Sequence, residues 1–117
     1  MGRLLATFGV AAFLATKAAA SDETDVKSVV HQWIDSFDKG DLESFVSLCS
    51  EPSTILDDFP PYELQGTGAC SRWWNDNDVF AKTNGITDGF VTLGKPLELY
   101  ITADHAYVVT RDDYTYK

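Results

Sequence analysis

Apolar residues recur at helical spacing in the first part of the chain and at strand spacing in the last. Val26, Val29, Val30, Trp33, Ile34 and Phe37 stand at i, i+3, i+4, i+7, i+8 and i+11. That pattern, preceded by the polar and acidic stretch Ser21 to Asp25, predicts an amphipathic helix. Lys39-Gly40 stops it, because glycine adopts the left-handed cap conformation without a steric penalty, and Asp41 is placed to cap a second helix carrying Leu42, Phe45, Val46, Leu48 and Cys49. Pro52 ends this unit, and Ser53 to Phe59 reads as a short strand. Pro60-Pro61 then bars ordinary ladder pairing. Gly66-Thr67-Gly68 frees the backbone, and Thr67 is expected to cap a third helix with Cys70, Trp73, Trp74 and Asn77 on one face, running to Thr83 before Asn84-Gly85 ends it.

From Ile86 the period changes. Phe90 to Leu93, Leu97 to Thr102 and His105 to Tyr116 are strand-like, separated by Gly94-Lys95-Pro96 and by a turn at Ala103-Asp104. Along the last strand Ala106, Val108, Thr110, Asp112, Tyr114 and Tyr116 share one face, and Tyr107, Val109, Arg111, Asp113 and Thr115 the other. Two helices, a strand, a long helix and a run of strands predict an α+β fold in which a curved, mostly antiparallel sheet wraps around helices.

Residues 1–20 have a different character. Met1-Gly2-Arg3 is a short positive start, Leu4 to Thr16 is largely apolar, and Ala18-Ala19-Ala20 supplies the small residues of a cleavage site. This is the pattern of a secretory signal peptide cut after Ala20, with residues 21–117 as a single mature domain and a secreted or periplasmic location. Lys17 interrupts the pattern, so an uncleaved anchor or a different start codon remain as alternatives. Loss of Arg3 and Lys17 takes the basic residues from 9 to 7 against 18 acidic ones, and the formal charge from −9 to −11. Such a field repels phosphate backbones and anionic lipid surfaces, which argues against nucleic acid and, after signal cleavage, against a membrane partner. Its plainest role is solubility. Cys49 and Cys70 are either a disulfide formed on export or two buried thiols.

The Lys39-Gly40-Asp41-Leu42 corner, the Asp57-Asp58-Phe59-Pro60-Pro61 strand end, the Gly66 to Trp74 helix start and the Ala103-Asp104-His105-Ala106-Tyr107-Val108 strand together resemble the NTF2-like superfamily, in its SnoaL-like, ketosteroid-isomerase-like branch. The resemblance covers Thr24 to Tyr116 and implies an NTF2-like cone. In it three N-terminal helices pack in a strongly curved, mostly antiparallel sheet around an apolar pocket open at one end. Members of the family usually continue for one or two further strands, so this chain is expected to lack the last strand or strands, and the sheet edge left open offers a homodimer contact. The family includes isomerases, cyclases, dehydratases and proteins without activity, so the fold does not decide the chemistry.

The candidate site residues follow from inferred geometry. Asp57, on the face of Ile55 and Phe59, is the first choice for an inward carboxylate and general base; Asp112, on the face of Ala106, Val108 and Tyr114, is the second. Turn capping or solvation is the alternative for Asp57, and a place at the chain end for Asp112. Tyr62, Tyr114 and Tyr116 are phenols able to donate to a substrate oxygen, while Trp33, Phe59, Trp73 and Trp74 either wall a small apolar or aromatic ligand or fill the core. His31 and His105 stand far apart and are expected at the surface; no metal-ligand spacing, phosphate loop or dinucleotide fingerprint is present, so no metal or cofactor is expected. Arg72 and Arg111 are expected in surface ion pairs. Two functions stay open: a cavity protein that catalyses proton transfer, hydration or dehydration, and a non-enzymatic module for ligand binding or dimerisation.

Overall fold

The apolar stripe of the first helix is where the fold begins. The computed structural model describes residues 8–117, with side chains from residue 22 onward. In it α1 runs from Phe8 to Asp38, α2 from Leu42 to Ser47 and α3 from Ala69 to Thr83. The expected leader, residues 1–20, lies outside the described side chains; its last part is helix backbone continuous with α1. None of the helices among the described residues is long and apolar enough to cross a membrane.

The corner between α1 and α2 forms as its residues dictate. Gly40 takes φ 70°, and Asp41 caps α2 by accepting a hydrogen bond from the Ser44 backbone N–H at 3.1 Å and from the Ser44 hydroxyl at 2.6 Å. The Ser44 hydroxyl, and after it the Ser44 amide, hold the Asp41 carboxyl below its ordinary range, because both donate to the charged form.

Beyond α2 the strands are β1 (Ser53–Leu56), β2 (Glu63–Gly66), β3 (Phe90–Ile101) and β4 (Ala106–Thr115). The architecture is mixed α+β, with two separate two-stranded antiparallel sheets, β1-β2 and β3-β4, where the sequence reading expects one wrapped sheet. The reason lies in the lengths and neighbours of β1 and β2. Each has four residues, they pair only with each other in the register Ile55↔Leu64, and α3 packs against both. Glu63–Gly66 is a strand that the sequence reading does not place, since it expects Pro60-Pro61 to bar ladder pairing and Gly66-Thr67-Gly68 to free the backbone. A second difference is that Gly94-Lys95-Pro96 is not a turn. β3 is one strand of 12 residues that passes through an irregularity between Leu93 and Glu98, where the proline needs no ladder donor.

Cap chemistry also departs from expectation at α3. Gly68, at φ 74°, is the N-cap in place of the expected Thr67, and α3 has no side-chain cap; the Glu51 carboxylate accepts from the Gly68 N–H itself at 2.9 Å. Arg72 donates to the carbonyl oxygens of Gln65 and Thr67 in place of the expected carboxylate partner.

The core sits between α1, α2 and α3. Phe45 is fully buried, with Phe59, Cys70 and Trp73 beside it and Trp33, Phe37, Ile55, Leu64 and Trp74 packed around them. Trp33 and Trp73 stack on the Phe45 ring at centroid distances of 4.7 and 5.5 Å. Cys49 and Cys70 form a disulfide that ties the end of α2 to the start of α3 across a sequence separation of 21. Closing a loop of that size constrains the unfolded chain by roughly 3 kcal/mol in the entropic model.

Candidate ligand cleft

A cleft of about 860 Å³ opens between the aromatic core and the inner face of the β3-β4 hairpin. Its helical walls follow from the 3.6-residue period. Trp33, Ile34 and Phe37 come from one face of α1, and Trp73, Asn77, Phe80, Ala81 and Asn84 from one face of α3. Ile55 and the segment Leu56 to Phe59 form the floor. Val91, Asp112, Tyr114 and Tyr116 close the fourth side. Val91 lies opposite Tyr114 in the ladder and Leu93 opposite Asp112, which places these four residues on one face of the hairpin.

Asp57 is half-buried where β1 ends, with Phe59 buried two residues later, as strand alternation requires. Its two carboxylate oxygens are both engaged. Oδ2 accepts from the Trp73 indole N–H at 2.7 Å, and Oδ1 from the Asp58 backbone N–H at 2.7 Å. The indole is thereby locked in the core with its polar atom satisfied, and the carboxylate is held in one orientation. Asp58 and Asp112 border the same cleft, both exposed, and neither carboxylate has an ion pair or side-chain hydrogen bond among the described residues.

The hairpin is fastened to the helices at a few points. Val91 N–H donates to Asp38 Oδ1 at 2.7 Å, and Thr87 and Lys117 exchange two backbone hydrogen bonds of 2.8 Å. Tyr114 covers Gly89 closely: a Cβ at residue 89 would collide with its hydroxyl. Tyr114 and Tyr116 lie with ring centroids 5.6 Å apart.

Of the residues singled out from sequence, Asp57, Phe59, Trp33, Trp73, Asp112 and Tyr114 all line this cleft. Trp74 does not. It packs edge-on against Phe45 at 5.0 Å and Phe37 at 5.7 Å, so both neighbouring tryptophans belong to the core cluster and only Trp73 also reaches the cleft. Tyr62 is also outside the lining, exposed at φ 73° on the turn that joins β1 to β2. Cys49 and Cys70, joined in the disulfide, belong to the core side of the molecule and do not line the cleft. His31 and His105 are exposed, and no group of three or more metal-ligating side chains converges among the described residues. Phe37 and Phe80 are lining residues that sequence reasoning passed over. Phe80 stands seven positions after Trp73, so extending the face of α3 by two turns finds it.

No family model, curated protein or solved structure matches the chain.

Proposed function

We propose that the chain is an exported small-molecule-binding domain on the NTF2-like plan, taking an apolar or aromatic ligand into the cleft between α1, α3 and the β3-β4 hairpin. The observation that carries this reading is the cleft itself. Its size falls within the 300–1,000 Å³ usual for small-ligand sites, its walls are largely apolar with several aromatic rings, and a fixed carboxylate, Asp57, stands on its floor. Two helices, a short strand pair, a long helix and a long antiparallel hairpin in that order support the NTF2-like plan. The disulfide supports passage through an oxidising compartment, and with it the leader read from residues 1–20.

Binding is the first reading, because Asp57 is engaged on both oxygens and acts first as an acceptor that positions Trp73. A catalytic form of the same reading has Asp57 as the base and Tyr114 as the donor to a developing oxyanion, favoured by their place in one cleft. The test uses 1-naphthylmethanol, a neutral probe of suitable size, titrated by calorimetry. Saturable one-site binding is expected, lost in Ala81→Trp, which fills the cleft from the α3 wall. Absence of saturable binding, or equal binding by Ala81→Trp with its fold intact, refutes the reading.

A further inference from the structure

The charge of the cleft says more about its occupant than its size does. Among the described residues three carboxylates border it, those of Asp57, Asp58 and Asp112, and no lysine, arginine or histidine does. The cationic side chains that do make ion pairs make them elsewhere, Lys27 with Glu23, Lys82 with Asp78 and Lys117 with Asp88. Negative charge on the same cavity walls as the faces of electron-rich rings is the setting in which an organic cation is bound, by Coulomb attraction to the carboxylates and by cation–π attraction to the rings. Trp73 is suited to this role, because its indole N–H donates to a carboxylate and the hydrogen bond polarises the ring system towards greater electron density. The formal charge of −9 adds a long-range field of the same sign, which draws cations in and turns anions away.

We infer that the ligand of this cleft is an organic cation: a small amine or quaternary ammonium on an apolar or aromatic body. The inference rests on the binding reading above and narrows it to one charge class. The body lies against the aromatic walls formed by Trp33, Trp73 and Phe80, and the cationic group faces Asp57 and Asp112. Ordinary carboxylic acids, phosphates and sulfated aromatics are excluded by the same field.

The experiment separates this inference from the reading beneath it. Three probes of one shape are titrated into the protein by calorimetry at neutral pH and low salt: 1-naphthylmethylamine, which is cationic, 1-naphthylmethanol, which is neutral, and 1-naphthoate, which is anionic. The amine is expected to bind about tenfold or more tighter than the alcohol, and the naphthoate weakest of the three. The amine's advantage over the alcohol should shrink as salt is raised, and should fall in Asp112→Asn and Asp58→Asn. These two exposed positions are chosen because neither carboxylate supports the core; circular dichroism confirms the fold of each variant. Equal binding of amine and alcohol overturns the cation inference and leaves the cleft reading standing. Tightest binding by naphthoate overturns it as well, and failure of all three probes to bind overturns both.

Discussion

The helical part of the molecule and the β3-β4 hairpin differ in what holds them. Around Phe45, which has no exposed surface, three helices, the short β1-β2 hairpin and the disulfide enclose a cluster of aromatic rings. In the long hairpin Leu97, Tyr100 and Tyr107 are 62%, 61% and 60% exposed, and the strands are held chiefly by pairing with each other. A two-stranded hairpin is marginal on its own in water. The hairpin therefore depends on the helical part, while that part has a core without it. The cleft lies along the boundary, so one wall belongs to the packed core and the other is joined to it by limited packing on α1 and a few hydrogen bonds.

The contrast can be broken most directly at its stronger side. Phe45→Ala removes the ring on which Trp33 and Trp73 stack, and a loss of about 3–5 kcal/mol is expected in urea unfolding. Because the hairpin has no core of its own, strand and helix signals should disappear in the same transition. A loss below about 1 kcal/mol, within the range of an ordinary surface change, would mean that the core is centred elsewhere.

A smaller effect is expected where the two regions meet. Asp38→Ala leaves the Val91 N–H without its acceptor, at a cost of about 1–2 kcal/mol. Amide exchange should quicken along β3 while α2 and α3 keep their protection. Uniform acceleration through the chain would show instead that the two regions open as one unit.

The smallest effect concerns the α1-α2 corner. The Asp41 carboxyl is held below its ordinary range in the folded protein. Its contribution to stability is therefore complete above the unfolded value, near pH 4, and is lost as pH falls through the lowered folded value. The difference in melting temperature between the parent and Asp41→Ala should narrow on acidification below about pH 4. A difference that stays constant with pH would remove the ionised cap from the account.

What the sequence disclosed follows the range of the interactions involved. The Trp33-Ile34-Phe37 part of the α1 stripe, the Gly40-Asp41 corner and the Asn84 end of α3 are set by residues within a turn of one another and fall where the pattern puts them. By contrast, α1 runs on through Ser21 to Asp25, expected to precede it, and Val29 is exposed. Strand alternation likewise placed Asp57 beside Phe59 facing inward. β2 was hidden because its partner, β1, lies across a turn filled with prolines, and pairing across such a gap leaves no local periodicity. Glu51 reached the Gly68 N–H at the start of α3 from 17 residues away, and Trp73 reached Asp57 from 16. Helical period separated Trp73 from Trp74 by about 100° but gave no information on how many aromatic neighbours awaited each. The cleft's two helical walls and its carboxylates Asp57 and Asp112 were thus legible, and the bond that ties Asp57 to Trp73 was not, because that depends on which side chains other elements bring to it.

Gly89 has a consequence for how such a cleft changes over time. It borders no part of the cavity, yet the Tyr114 ring that does so lies against it, leaving no room for even a methyl group. Any larger residue at position 89 must push that ring aside, and the tyrosine's free end can swing without unpacking the core. The mouth can therefore be reshaped from behind its own wall, so ligand preference can drift through a residue that no ligand ever touches.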